Sequence, residues 1–287
     1  MLKHALHVLE AFFVYLFFYA CKLLPMAFAS YACGKLCQWI GHYTKVSKVA
    51  DVNLMRCFPN YSEAKRRNII QQMWNNLGRM IGEFPHWYKM SSKEFMSRVK
   101  INDISGEISK GGILVSAHYS NWEILPRVLQ EMNLKVHIIH RKANNPYVDA
   151  FINTIRQKTG VTLLRKGLVG VKEIVKALKA GHSVGMLVDQ KTNNGIDVPF
   201  FGIPSKTTAA PANLAIKFNI PIFLAYVKRT GDGNYQVNIL PPLKFSEGAD
   251  VLSVMSQINR TIEEWIRESP SDWFWVHRRW NKSLYCS

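Results

Sequence analysis

ILVSAHYSNWEILP, residues 113–126, runs from a short apolar stretch into a polar turn and back into apolar sequence. A run of Ile113 to Ser116 with no polar interruption reads as a strand buried on both faces, the form a parallel sheet demands. Similar runs recur at Val136 to His140, Val161 to Leu164, Val184 to Val188 and Ile222 to Val227. Helical segments lie between them near 146–159, 168–180 and 208–218, the first opened by Pro146 and closed by Gly160. Such alternation predicts an α/β fold: a mixed, largely parallel central sheet flanked by helices. Tyr235 to Leu240 adds a late strand and Val251 to Arg267 a closing amphipathic helix. Upstream, apolar residues at 69, 70, 73, 77, 80, 81 and 84 predict a helix over 62–84, with Ser62 as its N-cap.

Within the opening stretch, His118 and Glu123 stand five positions apart. On a straight helix that spacing separates them by about 140° around the axis. On a straight strand they lie about 16 Å apart on opposite faces. A turn leaving the strand at Ser116 brings them together, with His118 in the loop and Glu123 opening the next helix. In that arrangement the carboxylate fixes the imidazole tautomer and leaves the other ring nitrogen as a base for activating a hydroxyl. Two plainer readings compete. Ser120 and Glu123 also fit a capping box, which Pro126 weakens by falling inside such a helix, and His118 is equally readable as a polar loop residue.

The 287 residues, 48% apolar and 12% aromatic, suffice for one large domain with an appendage, and no low-complexity tract or repeat interrupts them. A formal charge of +17 attracts an acidic partner: nucleic acid, an anionic membrane or an acidic carrier protein. No recognised nucleic-acid motif accompanies that charge, and an apolar amino terminus has no role in such a protein. The five cysteines, at 21, 33, 37, 57 and 286, form no C-x-x-C pair, and no histidine pair at zinc spacing accompanies them. Reduced thiols in a cytosol-facing protein are therefore expected rather than a metal site.

Ala5 to Leu24 is dense in aromatic and aliphatic residues, but Glu10 interrupts it, and the uncharged core from Ala11 to Cys21 is shorter than the roughly 20 residues of a clean span. A tilted anchor, a span tolerating one polar residue and an interfacial helix all fit. Lys22, Lys35, Lys45 and Lys48 follow it, which agrees with a cytoplasmic carboxyl side. Residues 1–40 are accordingly expected to form a membrane anchor, and 41–287 the catalytic domain.

AHYSNWE (117–123), HRKANNPYVD (140–149), LVDQ (187–190), VPFFGIPSKTTAAPANLA (198–215) and SDWFWVHRRW (271–280), in that order, resemble the lipid A late-acyltransferase branch of the lysophospholipid acyltransferase superfamily. NLMRCFP (53–59), NLGRMIGE (76–83) and the amino-terminal anchor are similar to that branch too. The resemblance implies an inner-membrane enzyme facing the cytoplasm, which moves a fatty acyl group from an acyl carrier protein thioester to a hydroxyl of a lipid A precursor. It implies His118 as general base and Glu123 as its orienting partner, with no covalent acyl-enzyme, cofactor or metal. A thioester is already activated, so the enzyme need only deprotonate an alcohol and steady an oxyanion.

Arg141 and Arg156 fall where members of that branch carry arginines near the site, and Arg165 is a third candidate; each suits phosphate or the oxyanion. Asp189 and Gln190 end a strand at the ligand-facing edge of an α/β sheet, to position the acceptor or to hold the architecture. Phe200 and Phe201 suit an acyl groove or the core. His277, Arg278 and Arg279 suit lipid phosphates, and the tryptophans beside them an interface or a core. Ser205 and Ala209 or Ala210 replace residues usual in the branch, which bears on acyl-chain length and acceptor preference. Acylation of another glycolipid or of a lysophospholipid, with acyl-CoA as donor, uses the same residues. An inactive membrane scaffold is the remaining alternative.

Overall fold

Alternate residues of each central strand face opposite ways, and here both faces are covered. The computed structural model describes residues 2–140, 142–165, 168–246 and 248–285. Helices α1 (Leu2–Leu23), α2 (Met26–His42), α3 (Lys45–Cys57), α4 (Glu63–Trp87) and α5 (Ser92–Arg98) precede β1 (Val99–Asp103) and β2 (Gly112–Ser116). Then come α6 (Leu125–Glu131), β3 (Val136–His140), α7 (Pro146–Gln157), β4 (Thr162–Arg165), α8 (Leu168–Lys179) and β5 (Ser183–Leu187). A hairpin of β6 (Ile196–Phe200) and β7 (Ile203–Thr207) leads to α9 (Ala210–Phe218), β8 (Ile222–Gly231), β9 (Asn234–Ile239) and α10 (Val251–Glu268).

Seven strands form one sheet in the order β1-β9-β8-β2-β5-β3-β4, parallel throughout except for the β8–β9 pair. This is the mixed, largely parallel sheet expected. Ile113 and Val115 of β2, with Ile222 and Leu224 of β8, join the core under α10, whose Val254, Ile258, Ile262 and Ile266 recur every four residues. Leu114, Phe223 and Ala225 point the other way, into a second core closed by Val128 and Leu129 of α6, Phe95 and Trp87.

The strands expected from apolar runs are all present, within one residue at their starts. Sequence pattern missed the β6–β7 hairpin, which carries Pro199 opposite Pro204. Proline removes a ladder donor and argues against a central strand, but a hairpin in which both strands are edges tolerates it. Edge strand β1 also escaped notice, because alternate positions are solvent-facing and polar.

The expected anchor consists of two helices with different surroundings. In α1, Ala11, Tyr15, Phe18 and Cys21 face the rest of the chain, with Tyr15 and Phe18 packed edge-on against Phe151 of α7 at 4.2 and 4.9 Å. Glu10, the charge that interrupts the apolar run, accepts a hydrogen bond from Asn145 at 3.0 Å. The opposite face, Leu9, Phe12, Phe13, Leu16 and Tyr19, is more than half exposed. Among the described residues one helix, Lys3–Leu23, is long and apolar enough by length and composition to cross a membrane. Helix α2 packs on α4 so closely that a methyl group on Gly78 would collide with the backbone of Cys33, and one on Gly82 with the carbonyl of Ala29. Cys21, Cys33, Cys37 and Cys57 are free thiols.

Candidate active site

Register builds the site. Ser116 at the end of β2 pairs with Leu187 at the end of β5, so the two parallel strands leave the sheet at the same level. Two residues further on, His118 and Asp189 stand side by side. Asp189 accepts from the His118 backbone amide at 3.0 Å through Oδ2 and bonds ring Nδ1 at 2.9 Å through Oδ1. The indole of Trp273 donates to the same Oδ2 at 2.8 Å. Burial alone would raise the Asp189 carboxyl, yet the His118 ring, its amide and the Trp273 indole outweigh it and hold the acid at about 2. The imidazole is thus fixed by a buried carboxylate at Nδ1, and its Nε2 is the nitrogen that Asp189 leaves unengaged.

The expected hydrogen bond from that ring to the Glu123 carboxylate is replaced by this one. The chain does turn after Ser116: Ser120 takes a left-handed φ of 51°, and a 3₁₀ turn over Trp122–Ile124 carries Glu123 away from the strand end. Pro126 then lies in the first turn of the separate helix α6, so no capping box forms. The Glu123 carboxylate is engaged by Arg156 of α7, at 2.5 Å through one guanidinium nitrogen and 3.1 Å through Nε. Burial would lower the Arg156 guanidinium, but Glu123 overcomes it and the net shift is upward. Asp189 reaches the imidazole because strand register delivers it there, whereas Glu123 is neutralised by a bidentate partner. Trp122, next to Glu123 in the chain, sets its ring edge-on to His118 at 5.1 Å.

A carboxy-terminal strap closes the site. Tyr119 forms a bridge with Trp273, Phe274 N–H donates to His118 O at 3.0 Å, and Ser120 N–H to Asp272 O at 2.7 Å. The WFWVHRRW segment therefore lies against the loop that carries His118. Trp273, Trp275 and Trp280 are buried and belong to the core. Arg279, expected at lipid phosphates, is fully buried, bonding Thr207 Oγ1 at 2.8 Å and Lys206 O at 3.2 Å, and burial pulls its guanidinium down to about 10. Ser205 donates to the Arg279 carbonyl at 2.7 Å, so this departure from the usual pattern ties the hairpin to the strap. Arg278 is exposed. His277 turns inward, 2.6 Å from the Gln190 amide nitrogen, which lies 3.1 Å from His118 Nε2 and 3.3 Å from its Nδ1.

Of the other expected residues, Arg141 lies outside the described residues, and for Arg165 only the backbone at the end of β4 is described. Phe200 is fully buried against Trp273 and Trp280 in the core, with Phe201 half-buried beside it.

Sequence reasoning did not find Glu83 as a structural centre. This fully buried carboxylate accepts from Ser30 at 2.7 Å, Arg229 at 2.6 Å, Asn121 at 3.3 Å and the Tyr235 hydroxyl. Asn121 lies three residues after His118, so Glu83 fastens the loop that carries His118 to α4 and β8. A carboxylate ending an otherwise apolar helical face was the available signal.

The model of the bacterial lipid A biosynthesis acyltransferase family matches residues 1–282. The chain belongs to this family. The acyltransferase is 25% identical over 254 residues to a lipid A biosynthesis acyltransferase of Haemophilus influenzae, an alignment covering 84% of this chain and 80% of the relative. It is 26% identical over 246 residues to the lipid A biosynthesis lauroyltransferase of Escherichia coli K12, covering 81% and 78%. With the lipid A biosynthesis myristoyltransferase of the same organism it shares 23% over 265 residues, covering 88% and 81%. It is an O-acyltransferase of lipid A biosynthesis.

Proposed function

We propose that this acyltransferase takes a fatty acyl group from the thioester of acyl carrier protein and places it on a hydroxyl of a lipid A precursor, at the cytoplasmic face of the inner membrane. The observation that carries the reading is the buried Asp189 carboxylate on His118 Nδ1, which leaves Nε2 as the base. His118 Nε2 takes the proton of the acceptor hydroxyl as its oxygen attacks the thioester carbonyl. Asp189 steadies the imidazolium so formed. When the tetrahedral intermediate collapses, the C–S bond breaks and the same proton passes to the departing thiolate. Glu123, the other expected member of the dyad, holds the Arg156 guanidinium instead of the ring.

The excess positive charge suits both an acidic carrier and an anionic leaflet. The exposed apolar face of α1 suits membrane attachment, with α2 and the remainder of the chain on the cytoplasmic side.

The test is transfer of a labelled acyl group from acyl carrier protein to a tetra-acylated lipid A precursor in detergent micelles, comparing wild type with His118→Ala and with acyl-CoA as competing donor. Transfer by the wild type and its loss in the folded variant are expected. Activity surviving His118→Ala would remove the base assignment, and transfer to another glycolipid or a lysophospholipid alone would overturn the acceptor.

A further inference from the structure

Helix α2 turns Gly34 and Gly41 toward α4, where an added methyl group would meet the side chains of Arg79 and Trp74. Its other side carries Phe28, Tyr31, Leu36, Trp39 and Ile40, with Tyr43 just past its end. All six are exposed, Trp39 at 66% and Tyr43 at 76% of their surface. A helix that belongs wholly to a soluble core buries such a row. Only Leu24 and Pro25 separate α2 from the equally exposed outer face of α1, so the two apolar surfaces are continuous along the chain.

The charge of this segment has one sign. No Asp or Glu occurs between Glu10 and Asp51, whereas Lys22, Lys35, Lys45 and Lys48 do, and all of these lysines are exposed. Among the described residues none of them meets a carboxylate; Lys35 instead lies over the Tyr31 ring at 5.9 Å and Lys22 over Tyr19 at 5.7 Å. Lys35, Gln38, Trp39, His42 and Tyr43, with Gln71 of α4, line a cavity of about 310 Å³. The Gln38 carbonyl accepts from Asn75 at 3.4 Å, which leaves its own amide hydrogens to donate. Ammonium, imidazole and amide donors between aromatic walls suit a phosphate that carries an apolar tail.

We propose that the outer face of α2 lies in the headgroup layer of an anionic bilayer, its lysines and cavity taking lipid phosphates, so that two helices and not α1 alone hold the enzyme on the leaflet. This rests on the reading of the protein as membrane-attached. Tyrosine and tryptophan rings favour that layer, and lysine stems lie along apolar surface while their ammonium groups reach phosphates. A second copy of the same face would set lysine against lysine, and an acidic carrier matches the lysines but not the aromatic row. Helix α3, one short turn beyond α2, holds the strap through Asn53, which donates to the Trp275 carbonyl at 2.7 Å and to that of His277 at 2.8 Å. Seating α2 on the leaflet therefore sets the height of the strap, and of the site it closes, above the lipid.

The experiment places full-length enzyme on vesicles of phosphatidylglycerol brominated along its acyl chains and reads the emission that Trp39→Phe removes. Bromine quenches only on close approach, so this share of the emission is lost on brominated vesicles and kept on unbrominated ones. In a triple variant, Lys35→Gln with Lys45→Gln and Lys48→Gln, partition onto phosphatidylglycerol vesicles weakens about tenfold or more, and the preference over phosphatidylcholine shrinks with it. The substituted side chains are all exposed, so the fold is kept, and transfer in micelles stays at the wild-type level. Trp39 emission that bromine leaves untouched on vesicle-bound enzyme overturns the proposal. So does unchanged partition of the triple variant together with a raised KM for acyl carrier protein, which would assign the lysines to the carrier. Enzyme that binds no vesicle overturns the membrane reading and this surface with it. A wild type inactive in micelles but quenched through Trp39 on vesicles would remove the activity reading and leave α2 on the membrane.

Discussion

Asp189 holds His118 at two points, the backbone amide at 3.0 Å and ring Nδ1 at 2.9 Å. The double contact fixes both the position and the rotation of the imidazole. Asp189→Asn keeps the size but removes the charge and permits the wrong tautomer. Transfer should fall about 100-fold or more, with KM nearly unchanged. A variant within a few-fold of wild type would remove Asp189 from the mechanism.

The same carboxylate contributes to acid stability. Its folded value, about 2, lies below the ordinary 3.8, so the contribution is fully present above about pH 4 and lost as pH falls through about 2. It amounts to roughly 2 kcal/mol. Denaturant unfolding at pH 6 and at pH 2.5 should show wild type ahead of Asp189→Asn at the higher pH and the gap narrowing at the lower.

Glu123 and Arg156 form a partly buried bidentate pair. Removing either leaves the other uncompensated, so Glu123→Gln and Arg156→Gln should each cost on the order of 2 kcal/mol. The double variant should lose clearly less than the sum, read from thermal unfolding in a double-mutant cycle. Strict additivity would mean the pair contributes no coupling.

Glu83 is fully buried among four donors, whereas Glu268 meets Lys228 on the surface, both about half exposed. Glu83→Gln should therefore destabilise by about 3 kcal/mol or more, and Glu268→Gln by less than about 1. Loosening of the Asn121 loop adds a fall in transfer for Glu83→Gln only. Equal effects on unfolding would contradict the packing described.

The outward face of α1 presents Phe12 and Phe13, each 57% exposed. Phe12→Ser combined with Phe13→Ser should weaken association with vesicles containing anionic lipid, since each buried Phe contributes on the order of 2 kcal/mol. Vesicle flotation reads the bound fraction, and an unchanged fraction would place the attachment elsewhere.

Sequence alone determined the elements that pattern writes locally. The apolar runs at 113–116 and 184–188 read as strands because a parallel sheet covered on both faces needs continuous apolar sequence, and the helix over 62–84 was legible from its 3.6-residue repeat. The same local reading located His118, and placed Asp189 at the ligand-facing strand end. It paired His118 with Glu123 because those two are neighbours in the chain. What tertiary structure decided was the partner: the parallel register of Ser116 with Leu187 puts Asp189 beside the ring across 71 residues. It likewise brought His277 to Gln190 across 87 residues and Arg229 to Glu83 across 146. Local pattern carries periodicity and turn chemistry, whereas which strand ends meet depends on sheet order and register, and these are fixed only when the whole core is packed.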